Sequence, residues 1–261
     1  MSHPFRLIIT GPHDAYYNMA LDEALLESTA GGSLPALRLY GWEPPAVSVG
    51  YFQGLAEEVD IDACRRLGFD LVRRISGGGA VLHKSELTYS MAMPLNHPLA
   101  GADLNDSYRI LCTGLVEALR LLGLSAFFSG INDILAVRQG GAAAEGRKVS
   151  GNAQTRRLGC LLQHGTVLLD NDTGIMFEVL KVPREKIKGK LIGKASERVT
   201  TLRDLLGRSV SFEEAAAAVS AGFQNALDLE YRAEAPSPRE EARAAALARS
   251  RFSTRKWIYK R

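Results

Sequence analysis

The chain of 261 residues has few cysteines, little net charge and no long apolar run. Its three cysteines, Cys64, Cys112 and Cys160, are an odd number at wide spacing, which argues against a disulfide framework and against a two-by-two metal pattern. No segment reaches the roughly 18 apolar residues of a membrane span, and the N-terminus lacks a signal peptide's apolar core. We therefore expect a cytoplasmic location and no membrane partner. A net charge of +3 is too small to indicate nucleic acid binding by itself.

The composition is that of a globular chain, with 46% apolar and 23% charged residues and enough length for a large core. Predicted helices and strands are interspersed without a regular strand–helix–strand rhythm and without an internal repeat. The predicted fold class is α+β, with a central mixed or antiparallel β-sheet flanked by helices. A parallel doubly wound sheet is the weaker alternative.

Local patterns predict the individual elements. A first helix is expected over residues 18–28, with Asn18 as its cap, and a strong helix over residues 108–122. Two later helices begin at Ser-x-x-Glu boxes, which start at Ser211 and Ser237. Strands are predicted at residues 37–40, 46–49, 71–74, 87–93, 133–137 and 160–169.

A run of three glycines, residues 77–79, lies between two β-like stretches. Such a loop allows positive φ and lets the backbone approach a ligand closely. Its amide groups can face an anion, and the guanidinium groups of Arg73 and Arg74 can grip a phosphate or carboxylate. The alternative is a tight turn with two solvated arginines, because the pattern matches neither the dinucleotide fingerprint nor the P-loop.

Two further segments are candidates for a site. Lys148 lies in a stretch of glycines and small polar residues, where an inward-pointing ammonium can stabilise charge moving between a carboxylate and a phosphate. The sequence His164-Gly165-Thr166 precedes an apolar run and can bring a ligand close to the backbone. The alternatives are an exposed turn lysine and a structural histidine.

Taken together, these motifs are specific. The chain resembles the biotin/lipoate ligase and lipoyltransferase superfamily, closest to the lipoate–protein ligases and their octanoyltransferase relatives, through a series of motifs in order: Asn18-Met-Ala-Leu-Asp-Glu23, Ser48-Val-Gly-Tyr-Phe-Gln53, Arg73-Arg-Ile-Ser-Gly-Gly-Gly-Ala-Val-Leu-His83, Asn132-Asp133, Gly146-Arg-Lys-Val-Ser-Gly151 and His164-Gly-Thr166.

The resemblance implies an ATP-dependent ligase that attaches lipoate or octanoate to a lysine of a lipoyl carrier domain through an acyl-AMP intermediate. Lys148 is the implied catalytic residue, and Mg²⁺ is expected near Asp133. The residues implied to hold the acyl-adenylate are Arg73, Ser76, Gly77, Gly78, Gly79, Ala80, Val81, His83, Asn132, Asp133, Gly151, His164, Gly165 and Thr166. Residues 1–235 are expected to form the catalytic domain, with the helix and basic tail of residues 236–261 packed on it.

An alternative is an ATP-independent octanoyl or lipoyl transferase that carries the acyl group as a cysteine thioester. In one transferase branch the cysteine precedes the lysine loop, where residues 128–134 contain none. In another it precedes the His-Gly strand, which makes Cys160 the candidate, although its four-residue offset from His164 differs from the three residues of that branch. A more remote alternative is a nucleic-acid-binding protein, for which the sequence offers no reading helix.

Two departures from the family pattern stand out. Position 84 is Lys where the family usually has Asp, which removes an acidic group beside His83. The sequence also leaves little room for the extra C-terminal domain of longer ligases, so that either a separate accessory subunit is a further partner or the enzyme works without this domain. Two basic segments, residues 181–190 and 251–261, are candidates for docking an acidic carrier or are simply solvated.

Overall fold

The computed structural model describes residues 2–170, 173–181 and 198–261. The strands in these ranges are β1 (His3–His13), β2 (Ala36–Trp42), β3 (Ala46–Val49), β4 (Asp70–Arg73), β5 (Val81–His83), β6 (Glu86–Pro94), β7 (Leu124–Ser129), β8 (Asp133–Arg138), β9 (Arg147–Arg157), β10 (Cys160–Leu168) and β11 (Leu229–Ala233). The α-helices are α1 (Ala15–Ala30), α2 (Leu55–Glu58), α3 (Ile61–Arg66), α4 (Leu104–Leu121), α5 (Thr173–Val179), α6 (Leu202–Leu206), α7 (Phe212–Leu227), α8 (Pro238–Leu247) and α9 (Arg255–Ile258).

Eight of these strands form a mixed sheet in the order β11-β1-β2-β6-β10-β9-β8-β7. Strand β1 runs parallel to both of its neighbours, whereas the pairs from β2 to β7 are antiparallel. The other three strands form a small sheet, in which β3 is parallel to β4 and antiparallel to β5. The predicted α+β class with a mixed sheet flanked by helices is confirmed.

Helices cover both faces of the large sheet. On one face α4 and α7 pack over the central strands through Leu111, Leu115 and Phe223. On the other face lies α1, which contributes Leu21 and Leu25 to a second core cluster together with α8. Burial of both faces removes most apolar side chains from water, which is the main favourable contribution to folding.

Large and small side chains alternate along residues 87–93, and they lie on opposite faces of β6. Tyr89 and Met91 lie in the core beneath α4 and α7. Thr88 and Ser90 point to the α1 side, where they hydrogen-bond to Trp42 and to Asp22. Small polar side chains on this face leave room for the functional groups that lie between the sheet and α1.

The predicted strands coincide with β2, β3, β4, β6, β8 and β10 to within two residues at each end. The start of the first helix was predicted wrongly, because its cap is Asp14 and its first residue is Ala15. Asn18 is instead fully buried, and its side chain binds the carbonyl oxygens of His13 and Gly41 and the guanidinium of Arg38. A residue type that favours helix caps serves here to join α1 to β2.

The two Ser-x-x-Glu boxes differ in the structure. At Ser237 the predicted capping box is complete and reciprocal, and Pro238 lies in the first turn. Ser211 accepts from the Glu214 amide, but the Glu214 carboxylate pairs with Arg208 at 2.6 Å instead of returning to the cap. Only the first half of that prediction is therefore confirmed.

The helix α8 is joined to β1 by a buried ion pair. Arg6 Nη1 lies 2.6 Å from Glu240 Oε1, and both side chains are less than a tenth exposed. Burial opposes ionisation of Glu240, but the hydrogen bonds from Arg6, the Ser237 amide and Ser28 and the charge of Arg6 together outweigh it and hold the pKa of that carboxyl at about 2, below its usual 4.5. Whether residues 1–235 and 236–261 form one catalytic unit stays a prediction, to which this contact lends support.

Glu240→Gln is expected to lower the free energy of unfolding by about 2 kcal/mol at neutral pH, since it leaves a buried guanidinium with a weaker partner. Gln preserves the capping box, so the change isolates the charge. Because the folded-state pKa is depressed, this stabilisation is present above about pH 4.5 and is lost as the pH falls towards about 2. Urea unfolding of both proteins between pH 2 and pH 7 measures the difference.

A matched control is Arg243→Ala on the same helix. Arg243 pairs with Glu27 at 2.6 Å in a partly exposed pair, and its removal should cost less than about 1 kcal/mol. Equal losses for the two variants would contradict the importance of the buried pair.

Candidate active site

A cavity of about 260 Å³ lies where the small sheet meets the large one, beside α1. Its floor is formed by β9 and β10, and its rim by the glycine loop between β4 and β5. Its apolar wall includes Met19, Leu168, Met176, Leu180 and Val199. An apolar wall with a polar rim suits a ligand that has a hydrocarbon part and a polar end.

The glycine loop borders this cavity through part of its length. Of the predicted site residues in this segment, Gly78, Gly79, Ala80, Val81 and His83 line the cavity. Gly78 has a φ of +94°, which favours glycine at that position. Ser76 and Gly77 are not among the lining residues, and Ser76 is fully buried.

The guanidinium at the cavity belongs to Arg74, not to Arg73. Arg74 lines the cavity, and it donates to the carbonyl oxygens of Gly77 and Gly79 and to Ser48 Oγ. Burial lowers its pKa to about 10, and no carboxylate of the described residues pairs with it. A buried cation of this kind suits an anionic ligand.

Arg73 points away from the cavity and is fully buried. Its guanidinium donates to the carbonyl oxygens of Gly50, Gln53 and Ile258. Arg73 was predicted to hold the ligand, but Arg74, the next residue, is the one that lines the cavity. Successive residues of a strand face opposite sides, so only one of the two arginines can face the cavity.

Lys148 lines the cavity at the start of β9, and its ammonium lies 2.7 Å from Asp133 Oδ1. A Cβ at Gly151 would lie 2.9 Å from that ammonium, so the glycine makes room for the lysine. Asn132 also lines the cavity, whereas Asp133 reaches it only through Lys148. The lysine is a little over one-third exposed, which leaves it accessible to a ligand.

Beneath the floor lies a buried polar network. Tyr89 Oη donates to Asn152 Oδ1 at 2.7 Å, and Asn152 in turn donates to the Asn132 carbonyl. A Cβ at Gly165 would lie 2.1 Å from that Asn152 oxygen, so a larger residue there would break the network. The predicted close approach at Gly165 is therefore made by a neighbouring side chain, and Thr166 lines the cavity next to it.

His164 also lines the cavity and belongs to a second buried row. Its Nε2 lies 2.6 Å from Ser76 Oγ and its Nδ1 3.1 Å from Asp22 Oδ2. Asp22 is already paired with Arg38 at 2.9 Å. Burial opposes ionisation of Asp22, yet the contacts with His164 and Arg38 lower its pKa below the usual value.

His83 forms a similar row on the other side of the cavity. Its Nε2 lies 2.7 Å from Ser48 Oγ, and its Nδ1 lies 2.6 Å from Glu86 Oε1. Its ring stacks on Trp42 with centroids 3.9 Å apart. The carboxylate that meets His83 is thus two residues beyond Lys84, the position where an Asp was expected.

Glu86 and Trp42 were missed as site residues by the sequence analysis. A usable signal was the alternation of Glu86 and Thr88 with large apolar residues along β6, which places both side chains on the face that borders the cavity. Ser48 was noted only as part of a motif.

None of the three cysteines lines the cavity. Cys160 is buried among apolar side chains beside Leu162, about 13 Å along β10 from His164. Burial raises the pKa of its thiol, and it raises the pKa of Cys64 to about 11 and that of Cys112 to about 12. A reactive cysteine needs the opposite shift.

Of the two basic segments, residues 182–190 lie outside the described residues. Lys181 donates to the Ala56 carbonyl, and the tail packs through Trp257, whose indole nitrogen donates to the Arg73 carbonyl. In the described ranges, no helix is long and apolar enough to cross a membrane, and no cluster of three potential metal ligands occurs.

A family model described as the lipoyl protein ligase A/B catalytic domain matches residues 14–224. The octanoyltransferase LipM of Geobacillus kaustophilus is 36% identical, and the match covers 98% of each chain. LipM of Staphylococcus aureus is 33% identical over the full length of both chains.

Solved structures agree with this assignment. The bi-partite lipoate protein ligase of Thermoplasma acidophilum has a TM-score of 0.85 and 32% identity, with 99% of this chain and 96% of that chain covered. A lipoate-protein ligase A bound with ATP has a TM-score of 0.81 and 30% identity, with 99% of each chain covered. The chain therefore belongs to the lipoyl protein ligase A/B catalytic-domain family.

Proposed function

We propose that the chain transfers an octanoyl or lipoyl group to a lysine of a lipoyl carrier domain, with an octanoyl thioester as the first candidate donor. The observation that carries the proposal is the cavity, whose apolar wall ends at two cations, Arg74 and Lys148. The relatives named octanoyltransferase support this transfer, the alternative of the sequence analysis, better than the ATP-dependent ligation that it favoured.

Each part of the cavity has a role in this proposal. The apolar wall holds the hydrocarbon chain, and its burial excludes water from the reacting carbonyl. Lys148 stabilises the negative charge that develops on the carbonyl oxygen as the carrier amine attacks. Arg74 donates hydrogen bonds to the carbonyl oxygens of Gly77 and Gly79, which fixes the glycine loop. It also adds positive charge at the same end of the cavity as Lys148.

A second candidate function is ATP-dependent ligation, and one observation favours it: no cysteine lines the cavity. Activation by ATP needs no thiol, and one structural relative is a ligase bound with ATP. The residues that line the cavity fit an acyl phosphate group. Arg74 is a buried cation without a carboxylate partner in the described part of the chain. The hydroxyl oxygen of Ser150, another lining residue, is buried without a hydrogen bond. Among the described residues Asp133 is the carboxylate expected to hold Mg²⁺, and it is already paired with the Lys148 ammonium at 2.7 Å.

The carrier domain is the proposed partner, supported by the likeness to a ligase studied with its E2 lipoyl domain. The same relative is described as bi-partite, which supports a separate accessory polypeptide as a further partner in the ligation route. A cytoplasmic location and the absence of nucleic acid binding stay predictions.

Two parallel reactions test the proposal. A lipoyl carrier domain is mixed with the chain and either octanoyl-acyl carrier protein or octanoate with ATP and Mg²⁺, and the mass of the carrier is read. We expect an octanoyl adduct with the thioester donor and no ATP. An adduct that forms solely with ATP would establish the second candidate function, and no adduct in either mixture, with lipoate also tried, would contradict both.

Lys148→Ala is expected to reduce the transfer rate by roughly 10²–10³-fold, the loss typical when a donor to a developing oxyanion is removed. Circular dichroism should be unchanged, since the ammonium is partly exposed. Arg138→Ala is the matched control, because it removes an exposed cation on the neighbouring strand outside the cavity. Equal rates for Lys148→Ala and the wild type would remove the proposed role.

Cys160→Ser is expected to retain the wild-type transfer rate, because the thiol is buried away from the cavity. Single-turnover transfer to the carrier measures the effect. A loss of transfer in a folded Cys160→Ser protein would restore the cysteine thioester of the sequence analysis.

A further inference from the structure

The segment of residues 249–261 is strongly basic and lies outside the cavity. It contains no acidic residue, and its cations are Arg249, Arg251, Arg255, Lys256, Lys260 and Arg261. None of these side chains lines the cavity, so the proposed transfer has no use for them there. Because a basic segment can simply be solvated, the arrangement of its charges decides whether it forms a surface for a partner.

Aromatic rings hold several of these cations in place. The Lys260 ammonium lies 4.1 Å from the ring centroid of Tyr51 and donates to the Tyr51 hydroxyl at 2.6 Å. It also lies 5.5 Å from the Trp257 ring, over which the Arg251 guanidinium lies at 5.3 Å. Lys256 lines the same surface depression as Trp257 and Lys260. Cations held over rings in this way lose less conformational entropy when a partner binds them.

The basic surface continues across the loop that follows β3. The Arg261 guanidinium lies 5.7 Å from the ring centroid of Phe52, and this phenylalanine is 66% exposed. The hydrogen bond from Lys260, together with the charges of Lys260, Arg157 and Arg261, lowers the pKa of the Tyr51 hydroxyl, so these cations act on the same ring. The basic tail surface is defined here as Tyr51, Phe52, Arg157, Lys256, Lys260 and Arg261.

Most charges of the basic tail surface have no carboxylate partner. Among the residues that the structure describes, Glu23 is the carboxylate that pairs with cations here, with Arg251 at 2.5 Å and Arg157 at 3.9 Å. The same part of the chain places no carboxylate within ion-pair distance of Lys256, Lys260 or Arg261. Unpaired exposed cations attract an acidic partner, and they mainly raise the rate and specificity of association.

The basic tail surface adjoins the glycine loop. The Tyr51 amide donates to the Ser76 carbonyl at 2.8 Å. A Cβ at Gly50 would lie 2.1 Å from the Gly78 carbonyl oxygen, so the two loops are in direct contact. Gly78 and Gly79 are exposed and line the cavity, so they mark the side of its mouth that faces the basic tail surface.

The tail itself lies behind β4 as seen from the cavity. The Ile258 carbonyl and the Trp257 indole bind Arg73, which points away from the cavity. A lysine has a short four-carbon stem, so the acceptor domain has to lie over the mouth of the cavity itself. An acyl group carried on a long flexible arm, such as pantetheine, lets its protein bind to one side of the mouth. The position of the surface therefore favours the donor over the acceptor.

From this arrangement we propose that the basic tail surface docks the acidic face of the carrier protein that delivers the acyl thioester. The inference rests on the proposed transfer from a thioester donor. Lys256, Lys260 and Arg261 meet carboxylates of the carrier, and Phe52 supplies an aromatic contact of the kind that interfaces favour. The acyl arm then passes the glycine loop into the cavity.

A double variant, Lys256→Glu with Lys260→Glu, tests the surface with two donors. With octanoyl-acyl carrier protein at low salt we expect kcat/KM to fall by roughly 10–10²-fold, mostly through KM, the range of electrostatic steering. With octanoyl-pantetheine, which has no protein to dock, we expect the wild-type rate, because the contacts of Trp257 and Ile258 with Arg73 are untouched. Added salt should slow the wild type with the protein donor more than it slows the variant.

The matched control is Arg109→Glu with Arg232→Glu, which makes the same change in net charge at two exposed cations. Arg109 lies on α4, on the opposite face of the large sheet from α1, and Arg232 lies on the edge strand β11. We expect near wild-type rates with both donors. An equal loss in this control, an equal loss with both donors in the tail variant, or no loss at all would overturn the proposal.

Direct binding separates failure of the surface from failure of the proposed function. Fluorescence anisotropy of labelled acyl carrier protein should show binding to the wild type and weak binding to the tail variant. That result without any transfer would leave the surface standing and overturn the transfer. Transfer by the wild type with equal carrier binding by both proteins would do the reverse. Loss of binding to a lipoyl domain or to duplex DNA in the tail variant, with the acyl carrier protein still bound, would assign the surface to another partner and overturn the proposal.

Discussion

The carboxylate of Asp22 is the contact on which the arrangement around the cavity depends. It is fully buried on α1, and it binds Arg38 and Tyr40 on β2, Ser90 on β6 and His164 on β10. One side chain thereby joins a helix to three adjacent strands. Because a buried charge must be paired and hydrogen-bonded to be tolerated, the register of α1 against the sheet is tied to these partners.

The chemistry of the site follows from charges that are satisfied in different ways. Asp22 and Arg38 neutralise each other, and Arg73 is satisfied by carbonyl oxygens. Arg74 is hydrogen-bonded to the glycine loop and to Ser48 but has no carboxylate partner among the described residues, and Glu86 Oε2 is buried without a hydrogen bond. A buried cation without a counter-charge and a buried carboxylate oxygen without a partner are costly, so their presence beside the cavity is a sign of function.

Much of the fold was predictable because periodic apolar patterns report burial directly. In the large sheet, strands β2, β6, β8 and β10 were predicted from alternating or continuous apolar residues. The capped helices α7 and α8 were predicted as well. Of the strands in the large sheet, β1, β7, β9 and β11 were missed. The pairing of β1 with β11 joins segments that are distant in the sequence, such as His3 with Leu229, whereas β7 pairs with β8, the next strand in the chain. Nor can local patterns tell that Asn18 is a buried link and not a cap.

The candidate site was predictable as a set of segments but not as a set of side chains. The glycine loop, Lys148 and His164 do meet at one cavity. Which of two adjacent arginines faces it depends on the strand's orientation, and the contact of His83 with Glu86 depends on a turn whose Ser85 has a φ of +52°. The family resemblance identified the segments that form the site. That Cys160 is buried away from the cavity could be seen only from the three-dimensional packing.

The contact between Arg73 and the end of the chain has a practical consequence. The carbonyl oxygen of Ile258 accepts from the Arg73 guanidinium, and the Trp257 indole donates to the Arg73 carbonyl one residue before Arg74. Residues 255–261 therefore brace the strand that leads into the glycine loop from behind. Trimming this segment would remove acceptors from a buried guanidinium and loosen a loop on the opposite side of the strand, and a tag fused to it would crowd the same contact. Assays of this enzyme are best made with the tag at the other terminus.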